Sequence, residues 1–199
     1  MEWRNVTVKR SHALVVTMLV SLACAAPLPA ADLTLAQRVQ RLEDREAIRA
    51  LLIEYAHLLD REDFVGYSRL FAKQGVWEGG IGSATGPDEI RKMLEVTFAK
   101  IPPGSERKGA YHILSNILID VQGDEATSCS RWTWVVPGKR GVGEGERSGH
   151  YEDELVRENG QWKFQRRLTV TELPTLRNDK EAGVWRSDYR APAAPAPRK

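Results

Sequence analysis

The sequence predicts an α+β fold in which N-terminal helices pack on an antiparallel sheet. Apolar residues recur at threes and fours up to about residue 100 and at every second position from Ala110 onward. No strand–helix–strand alternation exists to build parallel crossovers. The chain has 199 residues, 42% hydrophobic and 28% charged, which fits one globular domain with additions at its ends.

Asp32-Leu33-Thr34 supplies cap residues, and Val39, Leu42, Ile48, Leu51, Leu52, Tyr55 and Leu59 mark a long amphipathic helix that ends at Asp60. A second helix is expected over 61–72, with Phe64, Tyr67, Leu70 and Phe71 on its apolar side and Asp60 or Asp63 as its cap. Residues 75–86 hold Val76-Trp77-Glu78 among glycines and read as a short strand and a turn. Pro87 and Asp88 open a third helix, which Pro102-Pro103-Gly104 stops. A strand over 112–121 turns at Gln122-Gly123-Asp124 into a hairpin partner over 126–136. Residues 137–145 form a glycine-rich connection to a strand over 149–157, and Asn159-Gly160 turns that strand into a last one over 161–172. The domain is expected over 32–174. An extended tail follows over 175–199, Ala/Pro-rich from Arg190 and read as disordered.

Residues 1–31 read as a secretion signal: a basic stretch ending in Lys9-Arg10, an apolar run from Ala13 to Ala26, and small residues for cleavage near Ala30 or Ala31. The run is shorter than the roughly 20 residues that span a bilayer, and no later segment is apolar enough. An exported protein, periplasmic or secreted and without stable membrane insertion after cleavage, is therefore expected. Cys24 lies in the leader, where Ser21 stands in place of the large aliphatic residue that lipidation requires. Cys129 is then the only mature thiol, so no internal disulfide supports the fold. The formal charge is +2, and Arg4, Lys9 and Arg10 against Glu2 supply that much on their own. A near-neutral mature chain lacks the cationic face that nucleic acid requires.

Several chemistries are missing from the sequence. Gly141-Val142-Gly143-Glu144-Gly145 lacks the lysine and following helix of a phosphate loop, no paired His/Cys spacing suggests a metal, and no Gly-x-Ser-x-Gly elbow occurs. His57, His112 and His150 lie beyond the leader. Alternation places His112 on one face with Leu114, Asn116 and Leu118, as a core residue or as a base. Asp60 is either a helix cap or the carboxylate that orients such a base. Tyr55 precedes it by five residues, roughly 140° round an ideal helix, and reads on spacing alone as core. Trp132 and Trp134 share a face with Ser128 and Ser130, as core packing or as the wall of a ligand site. In the last strand Trp162, Phe164 and Arg166 alternate against Lys163, Gln165 and Arg167, an assignment that a bulge would swap. His57 reads as a surface pair with Asp60, and His150, near Glu152, as exposed.

The run from Leu42 to Asp60, Gly75-Val-Trp-Glu78, His112-Ile-Leu-Ser-Asn116 with Asp120 and Gly123-Asp124, Gly149-His-Tyr151-Glu-Asp153, and Asn159-Gly-Gln-Trp162-Lys-Phe-Gln-Arg-Arg167 together resemble the SnoaL-like branch of the nuclear transport factor 2-like superfamily. The resemblance spans roughly residues 36–174. It implies a cone-shaped α+β barrel, with helices closing one side of a strongly curved antiparallel sheet around an apolar pocket. Within the branch the chain is similar to the group containing scytalone dehydratase, bile-acid 7α-dehydratase and hexachlorocyclohexane dehydrochlorinase. That group works without metal or organic cofactor, through an Asp that ends the first helix and a His that opens the strand after the third. The resemblance places Asp60 and His112 in those roles. It matches Tyr55 to a pocket polar residue and Arg167 to a pocket arginine, and Trp77 and Trp132 complete the expected substrate-binding set. It further implies a homodimer or homotrimer.

The expectation is a cofactor-independent lyase acting on a hydrophobic, cyclic small molecule, with His112 as base and Asp60 orienting it. The alternatives are an isomerase using the same pocket and a non-catalytic exported module that only binds a small ligand.

Overall fold

The computed structural model describes residues 33–101, 109–138 and 143–173. The leader, the Pro102-Pro103-Gly104 stop and the tail over 175–199 lie outside the described residues.

Helix α1 runs Leu35–Asp60, opened by a reciprocal cap in which the Thr34 side chain accepts from the Gln37 amide while the Gln37 side chain accepts from the Thr34 amide. Ile48, Leu51, Leu52, Tyr55 and Ala56 form its buried stripe. Val39 and Leu42, placed on that stripe by their spacing, are exposed, because the first two turns of α1 carry their apolar side away from the core. Helix α2 is only Phe64–Ser68, capped by the Asp63 carboxylate on the Gly66 amide. It is shorter than expected because the Phe164 amide donates to the Leu70 carbonyl at 2.9 Å, drawing Phe71 and Ala72 into the sheet. Strands β1 (Phe71–Gly79) and β2 (Gly82–Thr85) form a hairpin, and helix α3 (Pro87–Phe98) follows with Pro87 in its first turn.

Strands β3 (Tyr111–Gln122), β4 (Glu125–Pro137), β5 (Gly143–Glu158) and β6 (Gln161–Leu173) form the expected antiparallel meander. Glycines 143 and 145, expected in the connection, already belong to β5, where Gly143 pairs with Pro137 and Gly145 with Val135. The sheet is open, in the order β2-β1-β6-β5-β4-β3, and mixed: β1 pairs with β6 in parallel, Trp77 opposite Arg167. That parallel pair departs from the all-antiparallel expectation. It joins segments about ninety residues apart, which leaves no local periodicity to read.

The helices cover one face of this sheet, its inner face. Ile48, Leu52, Tyr55, Tyr67, Ile90, Leu94, Ile119, Leu155 and Phe164 are all at most 2% exposed and form one core. At about 25 cal/mol per Å² of apolar surface removed from water, side chains of this size hold the fold without covalent help.

Candidate active site

Two elements distant in sequence meet at the end of α1. Asp60 is its last residue, and His112 is the second residue of β3. Asp60 Oδ2 accepts the His112 backbone N–H at 3.0 Å, and Oδ1 lies 2.6 Å from His112 Nδ1. The carboxylate thus grips both the strand and the ring. An ionised carboxylate only accepts, so Nδ1 is the donor in this contact and Nε2 is directed away from Asp60. The two side chains are 15% and 12% exposed, within reach of solvent or a small molecule.

Trp134 stacks on the His112 ring at 6.5 Å and 29°, and Trp132 lies 6.2 Å from it. Trp132 in turn stacks on Tyr151 at 6.0 Å, and Tyr151 meets Tyr55 edge-on at 5.5 Å. The Tyr55 hydroxyl accepts from Trp77 Nε1 at 3.1 Å and from the Tyr67 hydroxyl at 2.5 Å. Tyr55 is 1% exposed and Trp77 5%, so the aromatic row runs from the partly open imidazole into the closed core. Burial, with the Tyr55 phenol adding to it, raises both Tyr67 and Tyr151 well above the usual phenol range. Both therefore stay protonated at neutral pH.

Arg167 is fully buried. Its Nε and Nη2 donate to Asp153 at 2.7 and 2.9 Å, and its guanidinium carbon lies 3.9–4.2 Å from the ring centres of Tyr55, Phe164 and Tyr151. Burial opposes its charge, but Asp153, by charge and by hydrogen bond, raises it further above its already high value. Ser128 donates to Asp153 at 2.6 Å. Arg166 points to the other face, bonded to Glu78 at 2.5 Å. A register shift between Glu154 and Leu155 turns Arg167 inward after Phe164, which is the swap that alternation left open.

A second irregularity corrects the β3 reading. Asn116 adopts φ 51° in a bulge between Ser115 and Leu118. His112 and Leu114 face inward, but beyond the bulge Ile119 and Val121 do so, while Asn116 is exposed and Leu118 faces the other way. His150 is also corrected: it is fully buried, its Nδ1 2.8 Å from Glu172 and its Nε2 3.5 Å from Glu152. His57 is exposed on α1. Cys129 is buried, and burial, with Glu152 next, pushes its thiol up to about 11. Sequence reasoning did not single out Tyr151 or Asp153 for a role, although alternation along β5 sets Tyr151, Asp153 and Leu155 on one face. Among the described residues no cluster of His, Cys, Asp and Glu is placed to hold a metal ion, and no helix is long and apolar enough to cross a membrane.

The family model for the SnoaL-like domain matches residues 40–168. Among solved structures, an NTF2-like protein with a cystatin-like fold from Novosphingobium aromaticivorans superposes with a TM-score of 0.61 at 25% identity, over 79% of this chain and all of that one. A candidate scytalone dehydratase from the same organism gives 0.55 at 29% identity, over 67% of this chain and 87% of its own. A candidate aromatic ring hydroxylase, again from that organism, gives 0.51 at 27%, over 64% and 87%. No curated protein matches the chain.

Proposed function

The chain belongs to the SnoaL-like family, and from that premise we propose that it is a cofactor-independent lyase removing water or an acid from a hydrophobic, cyclic small molecule. The observation that carries this reading is the grip of Asp60 on His112, through both the ring at 2.6 Å and the backbone amide at 3.0 Å. It presents Nε2 as a base and balances the imidazolium formed when a proton arrives. Trp132 and Trp134 against the imidazole give an apolar, flat-sided approach suited to a ring. Tyr55, Trp77 and Arg167 support that surface from within. The likeness to a candidate scytalone dehydratase points the same way.

General acid–base catalysis of this kind supplies about 10²–10⁴ in rate, enough for a proton already acidified by a carbonyl or an aromatic system. A thermal-shift screen of cyclic ketones and phenols identifies a ligand, since one at 100 times its Kd adds about 2.7 kcal/mol. On a substrate so found, His112→Ala and Asp60→Asn should each lower kcat by about 10²–10⁴. Undiminished turnover in both ends the proposal. Product mass separates elimination, which loses water or acid, from isomerisation, which loses nothing.

A further inference from the structure

A row of unspent polar groups crosses the inner face beside the aromatic path. Ser130 on β4 and Thr169 on β6 both stand opposite Tyr151 on β5, one on each side. Ser130 Oγ, Thr169 Oγ1 and Arg167 Nη1 are buried without a hydrogen-bond partner among the described residues. The Tyr151 hydroxyl makes no hydrogen bond among the described residues either, but unlike those three atoms it is not sealed off, the residue as a whole being 3% exposed. Buried phenols ordinarily find a partner, so a free hydroxyl here marks a place where one is expected to arrive. The Tyr151 ring stacks on Trp132, which lies against His112. Tyr55, by contrast, is tied to Tyr67 and Trp77 inside the core.

We propose that Tyr151 is the acid partner of His112, its hydroxyl delivering a proton to the oxygen that leaves the substrate. This rests on the elimination proposed above. His112 Nε2 takes a proton from carbon, and the electron pair of that C–H bond becomes the second bond of the new C=C. The C–O bond on the adjacent carbon breaks, and the departing oxygen takes the Tyr151 proton to leave as water. The imidazolium then returns its proton to the tyrosinate, so the enzyme ends as it began. Burial keeps Tyr151 protonated until a base as strong as a departing hydroxide appears. The Arg167 guanidinium, 4.2 Å from the ring centre, steadies the transient tyrosinate.

The test uses 2-naphthol, whose absorbance and fluorescence report its own ionisation. A donor at position 151 favours the naphtholate, so bound 2-naphthol should ionise about one pH unit lower on the wild-type protein than on Tyr151→Phe, a tenfold preference. Tyr151→Phe retains the ring stack, so a purely structural role leaves this titration unmoved. Replacing Tyr151 by 3-fluorotyrosine, a more acidic donor of nearly the same shape, should move the titration further down. Equal titrations in wild type and Tyr151→Phe, or no binding of 2-naphthol to the wild type, overturn the proposal. Failure of the dyad reading shows itself separately, as undiminished turnover in His112→Ala.

Discussion

Arg167 and Asp153 show how much one pair of side chains can impose. Both side chains are 0% exposed, so each charge depends on the other, on the Ser128 hydroxyl that donates to Asp153 and on the three aromatic faces around the guanidinium. Removing one partner strands a bare charge where water cannot reach it. Asp153→Ala should therefore cost about 3–5 kcal/mol in denaturant unfolding. Replacing the pair together, Arg167→Met with Asp153→Leu, should cost markedly less than the sum of the single changes. Additive losses would mean that the charges do not need one another. The same residues mark a limit of sequence reading. Adjacent arginines at 166 and 167 carry identical chemistry, and only the shift beside Leu155 decides which one turns inward.

At the scale of elements, what was legible had a period or a turn signature. α1 follows from its apolar spacing, α3 from the Pro87-Asp88 start, and the Asn159-Gly160 turn from two residues that accept positive φ, here 53° and 76°. Bulges have no such signature, since one extra residue looks like ordinary alternation until the partner strand is known. Asn116 is the clearest case, and it sits four residues beyond the dyad histidine on the same strand. Asn tolerates the left-handed conformation and a β-branched residue does not. Asn116→Gly should leave the melting temperature nearly unchanged, whereas Asn116→Val should destabilise by about 1–2 kcal/mol. Equal stability in the two variants would dissolve the bulge argument. Gly149 is constrained differently: a Cβ there would lie 1.9 Å from the Val170 carbonyl oxygen. Gly149→Ala must part β5 from β6, and a loss of about 3 kcal/mol is expected by thermal melting.

Across the whole molecule, the meeting of Asp60 with His112, 52 residues apart, was legible only through the family pattern, because no local rule brings a helix end to a strand start. The parallel closure of β1 on β6 was not legible at all. Nor was the junction that fastens α1 to the sheet. There Asp44, 5% exposed, accepts from Arg157 at 2.6 Å, from Gln40 at 3.2 Å and from Trp162 at 3.3 Å, while Arg157 also bonds Asp124 beside the β3–β4 turn. Burial alone would raise the Asp44 carboxyl, but the bonds from Arg157, Trp162 and Gln40 hold it below its ordinary value of 3.8. A carboxyl depressed in the folded state binds fewer protons there than in the unfolded chain near that value. Its stabilisation is therefore complete above about pH 4 and lost as the pH falls through the lower folded value. Wild-type melting temperature should drop steeply below about pH 4. Asp44→Asn should melt lower at pH 7, because a neutral amide answers Arg157 poorly, and should show a shallower acid limb. Glu172 is lowered as well: burial raises it, but bonds from Arg131 and His150 more than offset that, so part of the acid limb should survive in Asp44→Asn. If the acid limb of Asp44→Asn runs parallel to that of the wild type, the junction at Asp44 does not govern how this molecule comes apart in acid.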